Sequence, residues 1–148
     1  MSLDVRRVVT ANDENGKATV WIDDVASNFR INRPLVSSVL LWSTDGTPPD
    51  VSGDEDLGAR ALGRPPAHRG SIFRIVEFEP GNAADMHVTP TLDYAVVMSG
   101  EIDMELEDGA EVHLVAGDVL VQRATLHNWV NRGTEPCRIA FILIDASP

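Results

Sequence analysis

Tight-turn dipeptides cut this chain into short segments, and segments that short are useful mainly as β-strands. Asn15-Gly16 separates RRVVTA from KATVWID, and Asp108-Gly109 separates EIDMELE from AEVHLV. Both dipeptides accept positive φ at the two central positions, which a two-residue hairpin turn demands. Ser99-Gly100, Ala116-Gly117 and Arg132-Gly133 punctuate the remainder. Between the turns, residues are rich in Val, Ile, Leu and Thr, which suit a pleated backbone. Across 101–107, Ile102, Met104 and Leu106 fall on one face, and Glu101, Asp103, Glu105 and Glu107 on the other. That period of two marks a strand with one wet and one dry face. SIFRIVEF (71–78) and RIAFILID (138–145) are apolar on both faces, as strands between two layers should be. No segment carries a sustained helical period with caps, and DEDLGARAL (54–62) offers a turn or two at most, interrupted by Gly58. The pattern predicts an all-β sandwich or barrel.

At 148 residues the chain is one domain's worth, long enough to bury its own core. Residues 1–43 read as about three strands (VRRVVTA, KATVWID and LVSSVLLW) and residues 70–146 as about eight. Between them, 44–69 is rich in Gly, Pro and Asp and is predicted to be a long loop. A loop of that length is either a surface excursion or a working part, such as a flap over a pocket mouth or an arm onto a second subunit. Exposed N-terminal strands are edges that want a partner, so a homodimer is predicted. Trp42, Phe73 and Tyr94 are expected in the core.

The net charge is −11, from 23 acids against 12 bases. Such a chain repels phosphate backbones and anionic lipid, which argues against nucleic acid and membrane surfaces as partners and leaves a small-molecule substrate. The single cysteine, Cys137, excludes an intrachain disulfide framework and fits a reducing compartment. It lies in an apolar strand and reads as an inert small hydrophobe. The first residues hold no apolar stretch of signal-peptide length, and the longest apolar run, IAFILI, is too short to span a bilayer. A soluble cytoplasmic protein is the simplest expectation.

Chemistry concentrates in two blocks. Gly81, His87, Thr89, Asp93 and Gly100 stand in the pattern G-x5-H-x-T-x3-D-x6-G, and GDVLVQRATLHNWVN follows with His127. Two imidazoles and a carboxylate on strand-like segments can converge on one divalent metal, the 2-His-1-carboxylate set. An inward Asp beside two imidazoles needs a cation, because a buried unpaired carboxylate is costly. His87 and Asp93, separated by a turn containing Pro90, are expected on adjacent antiparallel strands. If His127 points inward, Trp129 and Asn131 share its parity. Two alternatives stand beside the metal centre: a relic that has lost its metal and binds only a small molecule, and a site built with Asp85. His113 and His68 read as a solvated strand histidine and a loop residue. Arg123 either grips a substrate carboxylate or pairs with a structural acid.

The two blocks resemble the paired motifs of the cupin superfamily, G-x5-H-x-H-x3-4-E-x6-G and G-x5-P-x-G-x2-H-x3-N. Gly81, His87 and Gly100 match the first; Gly117, His127 and Asn131 match the second. Thr89 stands where the second histidine would be, Asp93 where the glutamate would be, and Arg123 where the motif proline would be; the span from Arg123 to His127 is one residue short. The resemblance covers 70–146. It implies a jelly-roll barrel of the double-stranded β-helix type, with extra N-terminal strands and a divalent metal (Fe, Mn, Zn, Ni or Cu) in its mouth. Carried over, it makes His87, Asp93 and His127 the metal ligands. Thr89, a poor ligand, would vacate a position for substrate. The residues themselves, through the inward parity of Trp129 and Asn131 and the guanidinium of Arg123, add these three as substrate-site candidates. No catalytic residue is assigned. The implied functions are a metal-dependent lyase (decarboxylase or dehydratase) or isomerase, a non-catalytic metabolite- or sugar-binding barrel, and an Fe(II) dioxygenase.

Overall fold

The computed structural model describes residues 3–63 and 65–147. In chain order the strands are β1 Arg6–Asn12, β2 Ala18–Val25, β3 Asn28–Arg33, β4 Val36–Thr44, β5 Ser71–Phe78, β6 Thr91–Ser99, β7 Glu101–Glu105, β8 Glu111–Val115, β9 Val119–Arg123, β10 Asn128–Val130 and β11 Cys137–Asp145. The sole helical element among the described residues is a 3-10 turn at Glu107–Gly109. There Asp108 and Gly109 take φ of 56° and 80°, the positive pair that the Asp-Gly dipeptide anticipates between β7 and β8.

Six strands form one sheet in the order β3-β4-β5-β11-β6-β9, and three form a second in the order β10-β7-β8. All their pairings are antiparallel. The inner faces of the two sheets supply one core. Ile72, Val76 and Phe78 of β5, Ala95 and Val97 of β6, and Ile139, Phe141 and Leu143 of β11 meet Ile102 and Met104 of β7, Leu114 of β8 and Trp129 of β10. Burying an aliphatic side chain of this size stabilises the fold by roughly 1.5–3 kcal/mol. The alternation read in 101–107 is the burial pattern of β7: Ile102 and Met104 are buried while Glu101 is exposed.

The doubly apolar strands have a separate cause. On the outer face of the large sheet, Val39, Leu41 and Ile75 form a second cluster with Leu3 and Ala26, flanked by Val5 and Ala140. The N-terminal segment thus covers one region of the outer face. The covering stops short of Phe73 and Tyr94, which are 40% and 42% exposed and are not core residues as expected. Trp42 is half-buried and packs edge-on against Trp21 at 6.0 Å.

Two other expectations change. β3 is an additional strand: in NFRINR only Phe29 and Ile31 alternate with polar residues, both stay exposed, and pairing with β4 is what makes it one. Residues 70–146 hold seven described strands rather than about eight. The segment after β4 carries no regular element among its described residues, yet it is fastened down. Asn28 donates to the carbonyls of Gly58 and Arg60 at 2.9 and 2.7 Å, Ser43 to Leu57 at 2.7 Å, and Arg30 to Leu62 at 3.0 Å. Arg7 ties this segment to the β1–β2 hairpin by gripping Asp24 and Asp56 together.

Cys137 is fully buried, and burial pushes its thiol up to about 12. The native protein should therefore resist iodoacetamide at mildly alkaline pH and react fully in urea; rapid native labelling would contradict this placement.

Candidate functional site

His87 lies in extended chain between β5 and β6, and His127 lies just ahead of β10. The two pair directly in an isolated antiparallel bridge, exchanging both main-chain hydrogen bonds at 3.0 Å. Directly opposed residues of a bridge put their side chains on the same face, so the rings emerge together, 4.4 Å apart between centroids. Each imidazole is fixed from behind in the same way: His87 Nδ1 donates to the Asp85 carbonyl at 2.7 Å, and His127 Nδ1 to the Thr125 carbonyl at 2.8 Å. A carbonyl only accepts, so in the neutral ring Nδ1 holds the proton and Nε2 carries the lone pair.

Asp93 projects inward from β6, with Gln122 of β9 and Leu143 of β11 as its cross-strand neighbours. Its Oδ1 accepts the Thr91 hydroxyl at 2.6 Å, and its Oδ2 accepts a longer bond from the Gln122 amide at 3.4 Å. The same amide nitrogen lies 3.1 Å from His127 Nε2, and the Thr125 hydroxyl donates to Gln122 Oε1 at 3.2 Å. Gln122 is therefore interposed between the carboxylate and the imidazole. Sequence reasoning missed it. The available signal was a polar residue in phase with Leu120 on an otherwise aliphatic strand, VLVQR.

His87, Thr89, Asp93, His127 and Trp129 line one cavity of about 70 Å³, together with Arg33, Arg74 and an apolar wall that includes Phe78, Phe141 and Leu143. That volume holds roughly two water molecules or the end of a small substrate. The other two predicted substrate residues lie elsewhere. Arg123 follows the inward Gln122, so the two-residue period turns it to the exposed outer face. Asn131 is buried, but its amide nitrogen donates to the carbonyls of Phe78 and Glu135 at 2.9 and 2.8 Å, and its oxygen accepts the Gly133 N–H at 2.9 Å. It fastens a turn and does not line the cavity. The strand neighbour of His87 is His127, not Asp93 as expected. Asp85 stands behind His87, bonded to Arg33 at 3.1 Å.

These residues fit a metal only in part. Both imidazoles are held as metal-ligating histidines are, with Nδ1 on a carbonyl and Nε2 turned inward. Asp93 accepts from Thr91 and Gln122, and the same Gln122 nitrogen lies against His127 Nε2. Among the described residues, no three His, Cys, Asp or Glu side chains come close enough together to hold an ion. In this arrangement the His87, Asp93, His127 triad is not a formed metal centre.

His113 sits outside the site, on β8. Its Nδ1 bonds Asp103 at 2.6 Å and its Nε2 bonds Glu101 at 3.1 Å, and Asp103 also accepts from Arg132 at 2.8 Å. The bond from Asp103 raises the His113 pKa, and His113 in turn lowers that of Asp103. The stabilisation from charged His113 is complete below the unfolded histidine pKa and is lost as pH rises through the raised folded value; that from Asp103 is lost as pH falls through its lowered one. An NMR titration should place the His113 midpoint above the ordinary value of about 6.5. Asp103→Asn should lower it, and an unchanged midpoint would contradict the pairing.

Two antiparallel sheets packed face to face, with paired histidines lining a small cavity between them, define a β-barrel of the cupin type. The chain belongs to the cupin superfamily: residues 74–144 match the Cupin domain family. It is 34% identical to the cupin-domain-containing oxidoreductase fogC of Aspergillus ruber, an alignment covering 97% of this chain and 73% of the relative. It is likewise 34% identical to the cupin-domain-containing oxidoreductase virC of Hypocrea virens, covering 96% and 76%. Among solved structures, KdgF from Halomonas sp. shares the fold with a TM-score of 0.55 at 17% identity, covering 80% of this chain and 86% of that one. Cupins commonly bind a divalent metal. No helix among the described residues is long and apolar enough to cross a membrane.

Proposed function

We propose that this chain is a cupin enzyme that moves protons on a small oxygenated metabolite, the chemistry of an isomerase or a dehydratase. The observation that carries this reading is the pair of imidazoles fixed through Nδ1 on the wall of one small cavity. His127 Nε2 is engaged by Gln122, so His87 is the acid–base residue. His87 Nε2 takes a proton from carbon beside a carbonyl. Negative charge then develops on the carbonyl oxygen, where the guanidinium of Arg74 and the hydroxyl of Thr89 stabilise it. Return of the proton to a different atom completes an isomerisation; delivery to a leaving hydroxyl completes a dehydration. Asp93, through Gln122, keeps His127 in place.

The test is hydrogen exchange in deuterium oxide against a panel of 2-oxo and 3-oxo acids, followed by NMR. Wild-type protein should catalyse deuterium incorporation at carbon, and His87→Ala should lower the rate by about 10²–10⁴-fold while the fold persists. Undiminished exchange in that variant would end the proposal.

A second reading is redox chemistry at a metal held by the two histidines. It is favoured by their ligand-like orientation and by relatives that carry the name oxidoreductase. It requires Asp93 or Gln122 to turn from its present partners. Metal analysis of protein purified without chelators separates the readings: stoichiometric Fe, Mn, Zn or Ni that disappears in His87→Ala/His127→Ala favours the second.

A further inference from the structure

We infer that the substrate carries a carboxylate, and that its body occupies a second, larger cavity in which Arg30 and Arg74 hold that group. The inference rests on the inner cavity being where reaction occurs. At about 70 Å³, that cavity admits only the reacting end of a metabolite. Beside it lies a cavity of about 470 Å³, within the range of small-molecule sites.

The two are contiguous along the concave faces of three strands. On β5, Ile72 and Arg74 line the outer cavity, and Arg74, Val76 and Phe78 the inner one. On β4, Ser38 is outer and Val36 inner; on β3, Arg30 is outer and Asn32 inner. Arg74 is common to both and stands at their boundary. Residues 60–63 contribute to the outer wall, so the long segment after β4 forms part of this site.

The charge of the outer cavity is opposite to that of the chain. Acids outnumber bases 23 to 12 overall, yet the described lining holds Arg30, Arg60 and Arg74 and no acid. Arg60 is neutralised by Glu55 at 2.6 Å and Asp45 at 3.0 Å. Arg30 is steadied by a main-chain carbonyl, that of Leu62, which leaves its positive charge in force. Leu40, Leu62, Ile72 and Phe29 provide the apolar surface. Guanidinium groups beside an apolar wall select a planar anion attached to a hydrophobic body, and the fork of a guanidinium matches a carboxylate in two-point contact.

The experiment is calorimetric titration of the full chain with benzoate, its neutral isostere benzamide, and phenyl phosphate. Benzoate should bind at least about tenfold more tightly than benzamide, and Arg74→Gln and Arg30→Gln should each weaken benzoate by about tenfold. Arg74→Lys should retain part of the affinity, and unchanged circular dichroism and Tm should accompany each variant used. Benzoate binding by wild-type protein that catalyses no deuterium exchange would end the proton-transfer reading and leave this inference standing. Absent benzoate binding, equal affinity for benzamide, indifference to both arginine substitutions, or a preference for phenyl phosphate would each overturn the inference.

Discussion

Asn131→Ala is expected to destabilise the protein by about 3–5 kcal/mol, because it strands three main-chain groups at once. The Asn131 amide nitrogen serves the carbonyls of Phe78 and Glu135, and its oxygen serves the Gly133 N–H. Its own main-chain N–H is held by Asn82, whose amide reaches the Trp129 carbonyl. The side chain is 1% exposed, so water cannot readily replace what is lost. Each buried group left without a partner costs roughly 1–3 kcal/mol, and the cavity left behind adds to the sum. Urea unfolding of wild type and variant measures the difference. A loss below about 1 kcal/mol would show that Asn131 is not the fastener described here.

Gly100→Ala should cost about 2–5 kcal/mol, from two sources that a control separates. Gly100 turns the chain between β6 and β7 at φ +77°, where a side chain is disfavoured by roughly 1–2 kcal/mol. A Cβ there would also stand 2.5 Å from the Pro136 carbonyl oxygen and 2.9 Å from the Cys137 Cα, so main chain must move. Overpacking of that kind adds about 1–3 kcal/mol. Gly117 is the control: its φ is +93° but nothing lies within 4 Å of the added carbon. Gly117→Ala should therefore show the conformational cost alone. Equal losses at the two positions in thermal or urea unfolding would remove the steric part of the argument.

Gly100, Gly117 and Asn131 belong to the two blocks that resemble cupin motifs, and all three do structural work. The spacing locates the blocks, while strand parity alone points Asn131 toward a substrate. Parity held for Trp129, which lines the cavity, but Asn131 lies beyond the end of β10 at Val130, where the alternation no longer governs direction.

The all-β architecture, the turns at Asn15-Gly16 and Asp108-Gly109, and the two histidines of the candidate site are legible in the chain. The physical reason is that positive φ at Gly16 and at Asp108-Gly109, and the two-residue alternation of a strand, are local properties that neighbouring residues impose on one another. The surroundings of those histidines come from contacts between distant segments. Which side chain meets His127 is set by the register of β6 on β9, and that register brings Gln122 between Asp93 and the imidazole. Whether Phe73 and Tyr94 are covered depends on how far the N-terminal segment reaches across the sheet, and whether 44–69 hangs free depends on bonds from Asn28, Arg30 and Ser43. Contacts between residues far apart in the chain leave no periodic trace in it, so the site's chemistry had to be read from the fold.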